Sequence, residues 1–215
     1  RLLNEIEQIE AIQVDWETDS AAVTTSHGVE GLDEKLGRKT VTTGCGQGTV
    51  FGGVMDEIER IRLPSVHLRQ SSIYQLLKNL SLHNEIYRQA GAVHGCALCQ
   101  GTDLLLFIED VGRHNAVDAI AGHMWLNRMQ GGDKIFYTTG RLTSEMVIKV
   151  AQMGIPILLS RSGATQMGLE IARKVGVILI ARAKGSHFLV YHGAESISFD
   201  AVPQTQKASK PGTLG

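Results

Sequence analysis

From residue 104 onward the chain alternates short apolar runs with stretches of helical period, and this alternation limits the fold more than any other feature. Residues 104–108, Leu-Leu-Leu-Phe-Ile, read as a buried strand. After them Val117, Ile120, Ala121 and Met124 recur at spacings of three, four and seven, which is one face of a helix. The same alternation continues with strands expected at 134–138, 155–159, 177–180 and 188–191. Helices are expected at 144–153, with Met146, Val147, Val150 and Ala151 inward, and at 165–174. Strands and helices in this order build an α/β layer whose sheet is largely parallel.

Upstream the pattern changes. Alternation favours strands at 12–16 and 22–25. Ser71 and Ser72 fit the cap of a helix running to about Gln89, with Ile73, Leu76, Leu77 and Leu80 on its apolar face. We therefore expect a smaller N-terminal α+β portion over residues 1–70, an α/β domain over 71–201, and a polar, disordered tail over 202–215. The chain opens on Arg1 rather than Met, and residues 2–6 read as a helix end, so the N-terminal portion is expected to be truncated at its start.

Composition removes several classes of function. A formal charge of -1 gives no overall attraction to nucleic acid or to a membrane surface. No apolar run reaches the ~18 residues of a membrane span. Three cysteines, an odd number, argue against a disulfide framework and for a reducing, cytoplasmic setting where thiols serve chemistry or metal binding.

The chemistry concentrates where expected strands give way to helices. The first such turn carries Glu109-Asp110-Val111-Gly112-Arg113-His114-Asn115. The second carries Gly140-Arg141, with Ser144 opening the helix, and the third carries Ser160-Arg161-Ser162. Each has an arginine and a nearby glycine. Strand ends on one edge of a parallel sheet converge, helix N-termini present free N–H groups, and arginine recognises phosphate bidentately. Together they describe a pocket for a ligand with several negative charges, such as a nucleotide pyrophosphate. Taken singly, each turn also fits a capped helix with a solvated arginine.

Sulfur appears in two contexts. Cys45 lies among the glycines of residues 44–53, where a thiol would be reachable, as carrier or nucleophilic chemistry requires. Cys96 and Cys99, with His94, form H-x-C-x-x-C. That set is one ligand short of a structural zinc site, and it lacks the glutamate two residues after the histidine that a zinc deaminase needs. No zinc is expected, and Cys96 and Cys99 read as buried space-filling residues.

These motifs resemble the family of formate dehydrogenase accessory proteins called FdhD. The long run from Glu109 to Asp118, then Gly140-Arg141 with Ser144-Glu145-Met146-Val147, then Ser160-Arg161-Ser162 carry the resemblance, and Gly91-Ala92-Val93-His94 is similar to the family's Thr-Gly-Gly-Val-His. The resemblance implies a cytidine-deaminase-like fold, a mixed, largely parallel sheet flanked by helices. It implies a sulfurtransferase that takes persulfide sulfur from a cysteine desulfurase on Cys45 and delivers it to molybdenum bis(pterin guanine dinucleotide), carried as cargo for formate dehydrogenase. The family motif Cys-Gly-x-Cys-Gly reads here Cys45-Gly46-Gln47-Gly48, so only the first cysteine matches. The family's cofactor-binding turn falls on Arg182, Ala183, Lys184, Gly185, Ser186 and His187. The expected binding set is these six with His94, Asp110, Arg113, His114, Asn115, Arg141, Ser144, Ser160, Arg161 and Ser162. The reading admits a homodimer and involves neither nucleic acid nor membrane. The competing readings are a non-enzymatic cofactor-binding chaperone and a zinc-dependent deaminase-like enzyme.

Overall fold

The computed structural model describes residues 8–28, 60–83 and 85–202. Cys45 with its glycine-rich loop, and residues 203–215 of the expected tail, lie outside the described residues.

The main body is a six-stranded sheet in the order β5-β4-β6-β7-β8-β9. Its strands are β4 (His94–Gln100), β5 (Asp103–Asp110), β6 (Lys134–Thr138), β7 (Ile157–Ser160), β8 (Ile178–Lys184) and β9 (His187–His192). Only β6·β7 and β7·β8 pair in parallel; β5·β4, β4·β6 and β8·β9 are antiparallel. The sheet is therefore mixed rather than largely parallel. The two-residue turn at Gly101-Thr102 is too short for a crossover helix, so β4 and β5 form a hairpin, and β4 slots between β5 and β6. Even so, β5, β6, β7 and β8 all run the same way. Their carboxyl ends share one edge with the start of β4.

Helices cover both faces. On one side lie α3 (Arg113–Leu126), α4 (Ser144–Gln152) and α5 (Gln166–Val175), packed on Cys96, Leu98, Phe136, Leu158 and Leu179. On the other lies α1 (Gln70–Leu80), whose Ile73, Leu76, Leu77 and Leu80 meet Ala97, Cys99, Tyr137, Leu159 and Ile180. Burying each large apolar side chain in these layers contributes roughly 1.5–3 kcal/mol. The periodicity of α3 and α4 is as expected: Val117, Ile120, Met124, Met146, Val147, Val150 and Ala151 are all buried, and Ala121 is half-buried.

Helix α1 departs from the expectation. It stops at Leu80, and α2 (Glu85–Ala90) is a separate short helix. The apolar stripe ends there, since Leu82 and Ile86 are exposed, and the Asn79 side chain donates to the carbonyl of Thr102 at 2.9 Å, anchoring the last turn on the β4–β5 hairpin. Neither Ser71 nor Ser72 is the cap. The N-cap position is Arg69, and the backbone and hydroxyl of Ser71 both donate to the carboxylate of Asp200, at 2.9 and 2.8 Å. Asp200 follows β10 (Ile197–Ser198), which pairs in parallel with β3 (Leu68–Arg69) just ahead of α1. Strand β7 begins at Ile157 rather than 155, because Pro156 has no N–H to give a ladder.

The strands expected at 12–16 and 22–25 form an antiparallel hairpin of their own, β1 (Ile9–Asp15) and β2 (Ser20–Thr25). No helix among the described residues is long and apolar enough to cross a membrane.

Candidate functional site

At the carboxyl edge of β5, β6 and β7 the connecting loops are laced to one another by backbone hydrogen bonds. Thr139 N donates to Gly95 O at 2.9 Å, and Gly95 N returns a bond to Thr139 Oγ1 at 3.0 Å. Arg161 N donates to Thr138 O at 3.1 Å, Leu142 N to Gly163 O at 3.0 Å, and Arg182 N to Ser162 O at 2.8 Å. Buried Ser160 completes the lacing: its hydroxyl donates to Gly140 O at 2.6 Å and accepts from Ser162 N at 2.9 Å. Ser160 is thus a tie between two loops.

These loops enclose a cavity of about 460 Å³, within the usual size range for small-ligand sites. Ala92, Val93 and His94 form one wall, and Thr139, Arg161 and Ser162 the other. Arg113 and Arg141 belong to the same neighbourhood. Burial first, then the charges of Arg113 and Arg141, hold the His94 imidazole below its ordinary pKa. Arg113 lies along Gly140, where a Cβ would stand 2.9 Å from its Cδ. Of the three arginines at three strand ends, Arg161 lines the opening, while Arg113 and Arg141 act on His94 in its wall through their charge.

Asp110 fixes the first turn. Its Oδ1 accepts from Gly112 N at 2.7 Å and from Asn115 Nδ2 at 3.1 Å, which makes Gly112 the N-cap of α3 and sets Arg113 and His114 as its first residues. His114 turns toward α4, where Nε2 meets Glu145 Oε2 at 3.2 Å. Burial lowers the His114 pKa, against an upward pull from Glu145. Nε2 is the ring nitrogen that faces the carboxylate. Ser144 is the first residue of α4. Among the described residues, Arg113 Nε, His114 Nδ1 and Thr143 Oγ1 are buried without a hydrogen-bond partner, and an incoming polar ligand would remove that cost.

The Arg182–His187 stretch lies at the β8–β9 corner. Arg182 has φ of +54, a left-handed conformation that is costly for a side-chain-bearing residue. A Cβ on Gly163 would lie 3.6–3.9 Å from its guanidinium, so Arg182 lies over the third loop. Ala183, Lys184 and Gly185 line a second cavity of about 290 Å³ with Leu77, Ser81, Tyr137 and, again, Arg161. Ser186 and His187 complete the turn and open β9.

Thr139 and Ala92 line the first cavity although neither is in the expected binding set; Ala92 stands in the Gly91–His94 motif, and Thr139 was legible as the hydroxyl preceding Gly140-Arg141. Leu77 and Tyr137 carried no signal beyond core packing, and Ser81, exposed at the end of α1, carried none.

The H-x-C-x-x-C segment lies on β4. Residues three apart on a strand point to opposite faces. Cys96 accordingly packs under α3, its Sγ 3.3 Å from Thr138 Oγ1, while Cys99 packs under α1. Burial pushes the Cys96 thiol up to about 11 and the Cys99 thiol to about 12, so neither is a thiolate at neutral pH. Among the described residues no three His, Cys, Asp or Glu side chains gather as a metal site.

Known proteins agree with this picture. The sequence profile of the FdhD/NarQ family matches residues 1–198. The sulfur carrier protein FdhD of Bacillus subtilis is 31% identical over 170 residues, 78% of this chain and 65% of its own length. That of Bacillus pumilus is 26% identical over 185 residues, 86% of this chain and 71% of its own. A crystal structure of a formate dehydrogenase accessory protein from Desulfotalea psychrophila superimposes with a TM-score of 0.69 at 29% identity, over 91% of this chain and 74% of that one. The chain spans about two thirds of the length of these curated relatives. A sequence profile that matches residues 1–198 and a fold shared over 91% of the chain identify it as a member of the FdhD/NarQ family.

Proposed function

We propose that this chain is a sulfurtransferase that accepts persulfide sulfur on Cys45 from a cysteine desulfurase and passes it to molybdenum bis(pterin guanine dinucleotide) held at the strand-end cavity, for use by formate dehydrogenase. The observation that carries the ligand half is the cavity walled by His94, Thr139, Arg161 and Ser162 with Arg113 and Arg141 beside it. Guanidinium groups and backbone N–H donors at helix starts suit a pyrophosphate. Thiol chemistry favours Cys45 by elimination, since Cys96 and Cys99 are fully buried and protonated.

The sulfur step is thiol exchange. The Cys45 thiolate attacks the terminal sulfur of the desulfurase persulfide, an S–S bond forms on Cys45, and the desulfurase cysteine leaves as its thiolate. For release, a thiol reductant from outside the chain attacks the inner sulfur of the Cys45 persulfide, since Cys96 and Cys99 are buried and protonated. A disulfide forms, and the outer sulfur departs as hydrosulfide toward the bound cargo. Positive charge at the cavity mouth favours the departing anion.

The test is peptide-level mass spectrometry after incubation with a cysteine desulfurase and cysteine. The added mass of one sulfur atom should map to the peptide containing Cys45, and Cys45→Ala should abolish activation of a client formate dehydrogenase. Extra sulfur on Cys96 or Cys99, with Cys45→Ala still active, would overturn the reading.

A further inference from the structure

We propose that Thr138, which stands outside the expected binding set, is a positioning residue: its buried hydroxyl holds Arg113 and Arg141 in place for an anion bound beside His94. The inference rests on the ligand reading above and adds to it the means by which two of the arginines are held.

The three strands that lead into the arginine turns end on one device. Strand β5 ends at Asp110, β6 at Thr138 and β7 at Ser160. In each case a side-chain oxygen of the last strand residue accepts from the backbone N–H two residues on. Asp110 Oδ1 accepts from Gly112 N at 2.7 Å, Thr138 Oγ1 from Gly140 N at 3.0 Å, and Ser160 Oγ from Ser162 N at 2.9 Å. Such a bond replaces the ladder and turns the chain out of the strand. Asp110 and Ser160 stand in the arginine-bearing motifs. Thr138 reads in the sequence only as the end of an apolar strand, with its neighbour Thr139 facing the cavity.

Thr138 has the widest reach of the three. It is fully buried. Gly140 is held on both sides, its N–H by Thr138 Oγ1 and its carbonyl by the Ser160 hydroxyl at 2.6 Å, so the residue before Arg141 has a fixed orientation. Gly140 is also the floor under Arg113: a Cβ there would stand 2.9 Å from Arg113 Cδ and 3.4 Å from Thr138 Oγ1. Beneath the hydroxyl, the Cys96 thiol donates to Thr138 Oγ1 at 3.3 Å and lies 4.0 Å from the carbonyl oxygen of Arg113. The Thr138 carbonyl, by contrast, accepts from Arg161 N at 3.1 Å. Main chain therefore holds Arg161 whatever the side chain at 138, and the hydroxyl holds the other two. A buried N–H without an acceptor is costly. Removing the hydroxyl makes Gly140 shift toward another partner, and Arg141 and Arg113 shift with it while Arg161 stays.

The experiment measures GDP affinity by calorimetry on the full chain, with urea unfolding of each variant to separate lost binding from lost fold. Thr138→Val, close in shape but without the hydroxyl, should bind GDP about 10-fold more weakly. Thr138→Ser, which keeps the acceptor, should stay within about 3-fold of the wild type. In an Arg141→Ala background the Thr138→Val change should cost about 3-fold or less, because a group it positions is gone, and in an Arg161→Ala background it should keep its full effect. Should Thr138→Val not fold, Thr138→Ala repeats the test without the added methyl groups. A Thr138→Ser protein as weak as Thr138→Val, or an equal loss in the wild-type and Arg141→Ala backgrounds, overturns the positioning role while the GDP site stands. Failure of the wild type to bind GDP overturns the ligand reading itself, and this inference with it.

Discussion

Replacing Gly168 by alanine sets two physical effects against each other, and the structure decides the sign. Gly168 is in the first turn of α5, where alanine is favoured over glycine by up to about 1 kcal/mol in helix propensity. A Cβ at this position, however, would stand 2.4 Å from the carbonyl oxygen of Leu142 and 3.2 Å from the Thr143 carbonyl carbon and from Thr165 Oγ1. The obstacle is backbone. That same oxygen accepts from Thr165 N at 3.0 Å, so it cannot swing away without breaking a bond between the second and third loops. Restoring ordinary contact takes a displacement of about 1 Å, and overpacking of this kind costs typically 1–3 kcal/mol. The clash outweighs the propensity gain, and Gly168→Ala should be destabilised by about 1–2 kcal/mol in urea unfolding. The displaced loop carries Arg141, so GDP affinity should fall too. An alanine variant more stable than the wild type would refute the close packing of α5 on the Arg141 loop.

Arg161→Ala should lose about 1–3 kcal/mol of GDP binding, the range for a hydrogen bond to a charged group; unchanged calorimetric affinity in Arg113→Ala, Arg141→Ala and Arg161→Ala alike would remove the polyanion pocket. GDP binding should also depend on pH through His94. Its pKa is held below the usual 6.5 by burial, Arg113 and Arg141, and a bound phosphate offsets those charges and raises it. Binding therefore takes up a proton, and affinity should rise as pH falls from 8 toward 6, relative to His94→Asn measured alongside to cancel titration of GDP itself. Equal pH slopes in the two proteins would contradict this. In native protein at pH 8, iodoacetamide should modify Cys45 well before Cys96 and Cys99, whose thiols are buried and pushed up to about 11 and 12; peptide mapping that finds early label on β4 would argue against it.

The parts of this fold that could be read from sequence are those that local pattern determines. Strand β6 runs over Lys134–Thr138 as expected, and α4 begins at Ser144, because a short apolar run (Ile135, Phe136, Tyr137) and a 3.6-residue stripe are both strong local signals. The arginine-bearing turns were legible for the same reason. Sheet order was not. No residue in β4 announces that it enters between β5 and β6 in the opposite direction; that follows from a tight hairpin and from where its two faces find helices. The end of α1 also depended on a distant partner, Thr102, and its cap on another, Asp200. The second cavity was hidden because Leu77 and Tyr137 are core residues by every local measure, and their shared void exists only after β8 has been laid beside β7.

The clasp between β10, Asp200 and the start of α1 has a consequence for the order in which the chain becomes itself. Residues 67–71 meet residues 197–201 through a parallel strand pair, the Asp200 bonds to Ser71, and a 2.6 Å bond between His67 and Ser198. While the chain is being synthesised, α1 emerges more than a hundred residues before the carboxylate that closes its first turn. Its apolar stripe must also wait for β6, β7 and β8. Such non-local closure is slow compared with helix pairing. The face of the sheet that carries the second cavity is thus the last to be completed on the nascent chain. Until β6, β7 and β8 have been made, Ile73, Leu76 and Leu77 are the surface that folding helpers would meet.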